Sequence, residues 1–162
     1  MRLRFFSLIL VLGVACEATV SLDAAPDAKA GCEPPTEDEL APTARMLPGR
    51  VCQACHVPGG QAGAIAWTAS GTIYSQADAR CNDEGLEGVE VELLDESDRT
   101  LIVLTTNRAG NFFTAEPLAA VGIRARLRKE GRVREMMGLQ GSAACANCHR
   151  PGGAAPGRIY LD

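Results

Sequence analysis

Aromatic residues make up only 4% of this 162-residue chain, and histidine occurs just twice. A polypeptide core this poor in large rings is thin. No glycine-rich phosphate-binding loop is present, which removes the common route to nucleotide chemistry. The 16 basic residues are outnumbered by 20 acidic ones, so there is no basic footprint for nucleic acid. The apolar run Phe5 to Val14 is too short to cross a bilayer as a helix. What remains is a folded composition, 46% hydrophobic and 22% charged, of a length that suits one small domain with an appended segment.

Both histidines close the same nine-residue pattern. Cys52-Gln53-Ala54-Cys55-His56-Val57-Pro58-Gly59-Gly60 returns 93 positions later as Cys145-Ala146-Asn147-Cys148-His149-Arg150-Pro151-Gly152-Gly153. At Cys-x-x-Cys-His spacing two thiols reach the two vinyl groups of one haem, and the histidine is carried under the iron as proximal ligand. Two haem c groups are therefore expected: one on Cys52 and Cys55 with His56, one on Cys145 and Cys148 with His149. Their porphyrins would supply the apolar surface that the side chains lack. These nine residues resemble the c-type cytochromes, but no monohaem cytochrome domain is expected, because only 13 residues follow His149. With both histidines committed, no nucleophile-and-base constellation can be built and no enzymatic activity is expected. A small haem peroxidase or gas sensor would need a distal acid–base group that the chain does not offer.

The N-terminus points to export. Arg2 and Arg4 precede the apolar run, and Leu12-Gly13-Val14-Ala15-Cys16 resembles a lipoprotein signal in which Cys16 is lipidated. Gly13 departs from the usual leucine, and cleavage after Ala24 or Ala25 is the other reading. Either route places the protein outside the cytoplasm, in the periplasm, with a lipid anchor to the membrane in the first case. Loss of Arg2 and Arg4 with the signal moves the formal net charge from −4 to −6. Of seven cysteines, lipid and haems account for five; Cys32 and Cys81 remain, as a disulfide in an oxidising compartment or as two free thiols.

The expected division is a signal over 1–16, an acidic Ala/Pro-rich tether over 17–45, and a first haem-binding segment over 46–69, followed by a β-sandwich over 70–137 and a second haem-binding segment over 138–162. Thr36 and Glu39 form a capping box for a helix of a turn or two before Pro42. Strands are expected at 71–74, 89–94, 100–106, 111–114, and as a hairpin of 123–128 with 132–137. Gly71-Thr72-Ile73-Tyr74, Leu86-x-Gly88-Val89-x-Val91-x-Leu93-x-Asp95 and Thr105-Thr106-Asn107-x-x-Gly110-Asn111-Phe112 are similar to the prealbumin-like repeats, the carboxypeptidase regulatory-like and collagen-adhesin B-type domains. That resemblance implies a mainly β fold, a small antiparallel immunoglobulin-like sandwich, with short helical or loop haem-binding segments at its two ends. It implies no chemistry, because such modules act as spacers or packing platforms.

With no third histidine, the candidate distal iron ligands are Met46, Met136 and Met137, in a crossed pairing of Met136 or Met137 with the first haem and Met46 with the second. The other reading makes these methionines core. Pro58-Gly59-Gly60 and its copy are expected to turn beside the porphyrin, and Trp67 and Tyr160 to pack on haem edges or in the core. Arg124, Arg126 and Arg128 alternate, with Arg132 and Arg134 opposite; they pair propionates and an acidic partner, or form a solvated face balanced by Glu90 and Glu92. The reading as a whole is an exported dihaem cytochrome passing electrons between redox protein partners. Its rival is a non-redox module whose two Cys-x-x-Cys pairs together hold one structural zinc through four thiolates.

Overall fold

The structure, a computed structural model, describes Cys32, Thr43 and residues 46–81, 85–155 and 157–162. The signal, Cys16, most of the tether and the Thr36–Glu39 capping box lie outside the described residues. Eight strands appear: β1 Ala69–Tyr74, β2 Glu90–Leu94, β3 Thr100–Thr105, β4 Asn111–Thr114, β5 Arg124–Lys129, β6 Arg132–Glu135, β7 Ala143–Ala144 and β8 Ile159–Tyr160. They form a small β-sandwich. One sheet runs β3-β2-β5-β6, antiparallel throughout. In the other, β1 is central, with β4 antiparallel on one side and β7 and β8 parallel on the other.

The period-2 alternation of β2 explains its place. Val91 and Leu93 are fully buried between the sheets, while Glu90 points out and Glu92 lies among arginines. Ile73, Phe112, Ile123, Leu127 and Leu161 complete the core from the facing elements. β1 differs, being buried along its whole length. Its inward residues Gly71 and Ile73 face that core. Its outward residues Ser70 and Thr72 are polar but satisfied: Ser70 Oγ donates to Gln53 Oε1 (2.8 Å), and Thr72 Oγ1 accepts from the Gly49 amide (2.8 Å) and donates to Asn111 Oδ1 (2.7 Å).

Turn chemistry follows the residues present. Asn107 Oδ1 accepts from the amides of Ala109 and Asn111, and Glu130 and Gly131 both adopt positive φ at the β5–β6 hairpin. The Asp95 carboxylate accepts from the amides of Ser97 (2.9 Å) and Arg99 (3.0 Å) and from Arg99 Nε (2.9 Å).

Two expectations need correction. The sandwich is not purely antiparallel, because the C-terminal stretch returns beside β1 in its own direction; β7 and β8, two residues each, carry too little pattern to be read from the sequence. The arginine ladder also splits. The hairpin register sets Arg126 against Glu135 and Leu127 against Arg134, so Arg132 and Arg134 share the face of Leu127, not that of Arg124, Arg126 and Arg128. Arg126 and Arg128 both bond Glu92, and Arg126 also Glu135, which makes their face an ion-pair lattice at the surface.

The Cys32–Cys81 disulfide is present, with Cα atoms 5.3 Å apart. Arg158, only 3% exposed, ties this corner together: its guanidinium donates to Gly49 O, to Ala79 O (3.3 Å) and to Cys81 Sγ (2.7 Å). Removing the crosslink as Cys32→Ala/Cys81→Ala should cost about 3–4 kcal/mol by loop entropy, read as a lower urea midpoint; an unchanged midpoint would reject it.

The Asp95 turn gives a pH prediction. Partial burial opposes ionisation of Asp95, but the amides of Arg99 and Ser97 and the Arg99 side chain outweigh it and hold the carboxyl below its ordinary value. A depressed folded value means stability that is complete above the unfolded carboxylate pKa and lost as pH falls through the folded one. Asp95→Asn should therefore be less stable than the parent at neutral pH, with the two denaturation midpoints converging in acid. A constant gap across that range would contradict it.

Candidate functional site

The two nine-residue patterns fold alike at the backbone. Each begins as a 3-10 turn, Cys52–Ala54 and Cys145–Asn147. In the first, the His56 amide donates to Cys52 O (2.9 Å), Gly60 to Val57 O (2.9 Å) and Ala62 to Cys55 O (3.0 Å). In the second, His149 donates to Cys145 O (3.0 Å), Gly153 to Arg150 O (2.9 Å) and Ala155 to Cys148 O (3.2 Å). Gly59 and Gly152 take positive φ, as the third residue of a Pro-Gly turn must. A Cβ on Gly60 or Gly153 would overlap the carbonyl of Cys55 or Cys148. These glycines thus let the chain fold back on its own motif, where the sequence suggested clearance for a porphyrin.

Both turns pack on β1, from different sides. The first lies on the outer face, where Gln53 meets Ser70. The second hangs between β7 and β8, and a Cβ on Gly71 would stand 3.3 Å from that of Cys145. The leading cysteines are near neighbours: burial first, then the charge of Cys52, pushes the Cys145 thiol up to about 12. Cys145 is a free thiol, whereas Cys148 is disulfide-bonded. Among the described residues no three His, Cys, Asp or Glu side chains converge as a metal-binding group, so the four thiols of the zinc reading do not form a cluster there.

The two histidines differ in surroundings. His56 Nδ1 lies 2.8 Å from Ile65 O at the surface, which with Nδ1 protonated fixes the ring and leaves Nε2 available. The His56 ring stacks at 4.8 Å on Trp67, itself 4.5 Å from Phe113, and Ile65 and Phe113 are about half exposed. His149 instead lines a cavity of about 520 Å³ between the sheets, with Cys145, Cys148 and the core residues Val91, Leu93 and Phe112. Its Nδ1 is buried without a hydrogen bond; the Gly157 backbone favours the charged ring without closing one. Desolvation, then Arg134, holds the ring below the usual histidine value.

Met136 and Met137 are on the wall of this same cavity, although Met137 is 98% exposed. Both therefore stand with the second motif, against a crossed pairing. Met46 is outside that wall, and its carbonyl accepts from Asn111 Nδ2 (3.0 Å). Tyr160 reaches the cavity with the Arg134 guanidinium 3.7 Å over its ring. Ile65 and Phe113 were not singled out by sequence; the available signal was Phe112-Phe113, adjacent aromatics in a strand, of which one must point outward.

Comparison with family models, with curated proteins and with solved structures finds no match to this chain.

The fold-back turns can be tested directly. Gly153→Ala should destabilise by more than about 1 kcal/mol, whereas Gly141→Ala, with open space and no positive φ, should be near neutral. Equal denaturation midpoints for the two variants would contradict the overlap with Cys148 O.

Proposed function

We propose that this chain is an exported, lipid-anchored dihaem c-type cytochrome that passes electrons between periplasmic or membrane partners. One observation carries the reading: two Cys-x-x-Cys-His turns with matching backbone hydrogen bonds meet on one strand, and the second opens its cysteines and histidine onto an apolar cavity. A haem fits the second donor set, since the cavity falls within the size range of cofactor sites and brings Cys145, Cys148, His149 and Met136 to one apolar wall. Bound haem would supply a one-electron couple.

The chain's residues have defined tasks in this reading. Cys52 and Cys55, and Cys145 and Cys148, would hold the two haems as thioethers, each S–H adding across a vinyl double bond with no atom lost. Cys148 must first be released from its disulfide, which needs a dithiol reductant. His56 and His149 would each hold an iron through Nε2. Ile65, Trp67 and Phe113 cover one face of the first site, and Met136 is the thioether closest in placement to the second. Arg134, not held by a close ion pair, is available to a propionate, its Asp162 contact being 3.8 Å.

Expression with haem-attachment machinery should give mature protein two haems heavier than its polypeptide. The absorption should survive denaturation, with a sharp reduced α-band. Colourless protein carrying zinc would replace this reading with the structural-metal one.

A further inference from the structure

The two sites share a backbone but not an environment, and the differences all act in one direction. His56 has a backbone carbonyl at 2.8 Å from Nδ1; the buried His149 Nδ1 lacks a well-formed hydrogen bond and feels only the Gly157 backbone. A proximal histidine that donates from Nδ1 gains imidazolate character and stabilises the oxidised iron. One whose donation is poorly formed stabilises it less. Burial adds to this, because oxidised haem carries the extra positive charge and an apolar enclosure disfavours it. The His149 cavity is walled by Val91, Leu93 and Phe112, whereas the His56 neighbourhood opens to water through Ile65, 53% exposed. Charge decides little here, because of the guanidinium groups that line the cavity Arg124 pairs with Asp98 and Glu135, and Arg134 faces Asp162 at 3.8 Å. A thioether at Met136 would raise the potential again.

Resting on the dihaem reading, we propose that the two haems are thermodynamically unequal in a fixed order. The His149 site is the first to be reduced and holds the electron, and the surface His56 site is the low-potential one through which it passes. Electron flow within the chain thus runs from the first motif to the second, across the β1 platform.

The test is a spectroscopic redox titration of the mature dihaem protein, alongside two single-haem variants, Cys52→Ser/Cys55→Ser and Cys145→Ser/Cys148→Ser. The expected result is two steps separated by more than tenfold in electron affinity, which for a one-electron couple is 59 mV. The upper step should survive in the variant that keeps His149 and the lower in the one that keeps His56. Should either variant fail to fold, the intact protein still answers by nuclear magnetic resonance, with Trp67 reporting the first site and Tyr160 the second. Tyr160 signals should shift at the higher potential. Coincident midpoints, or Trp67 shifting first, would overturn the order while leaving the cytochrome reading intact. Protein without haem would instead overturn the reading on which the order rests.

Discussion

The structure depends on β1 being covered on both faces. A sandwich strand normally buries one face and wets the other, yet Ala69 to Tyr74 are all buried. The outer cover is the segment from Gly49 to Gln53, held by side-chain hydrogen bonds to Ser70 and Thr72. The inner cover is the opposite sheet together with Phe112, whose ring would lie 2.8 Å from a Cβ on Gly71. The strand edge is occupied by β7 and β8. The outer cover and the edge strands each bring a cysteine motif with them. The position of both motifs is therefore a consequence of what β1 needs in order to be buried.

Much of the fold could be read from residues whose signals are local. Val89 to Leu94 alternates because one face is core and the other charged, and Asp95, Asn107 and Glu130-Gly131 mark turns through side-chain acceptors or positive φ. β1 was legible as a strand, but its burial on both sides was not. Ser70 and Thr72 look like solvent-facing residues until their partners, 17 and 23 positions upstream, are known. The same holds for Arg158, whose charge argues for the surface. Its burial rests on carbonyls and a sulfur at Gly49, Ala79 and Cys81 that only tertiary structure brings together.

The hairpin arginines show how register decides a site. In sequence, Arg124, Arg126, Arg128, Arg132 and Arg134 form one basic cluster. Pairing Leu127 with Arg134 sends the strand-β6 arginines to the inner side, and a shift by one residue would have reversed that. As a result Arg126 and Arg128 pair with Glu92 and Glu135, while Arg134 stacks on Tyr160 at the cavity wall. The alternation was visible; the partition between surface lattice and cavity wall was not.

The repeat itself shows where local code stops. Nine residues, repeated with their spacing, produce the same turn, the same positive-φ glycine and the same fold-back hydrogen bonds through Ala62 and Ala155. Beyond that point the copies part. The Trp67 amide returns to His56 O, which carries the first histidine onto an aromatic surface, whereas the Arg158 amide goes to Ala77 O and draws its chain into the core. That divergence leaves Ile65 O at 2.8 Å from one imidazole, while the buried Nδ1 of the other lacks a well-formed hydrogen bond. A shared motif thus sets the local turn, and the residues that follow set how differently the two histidines are surrounded.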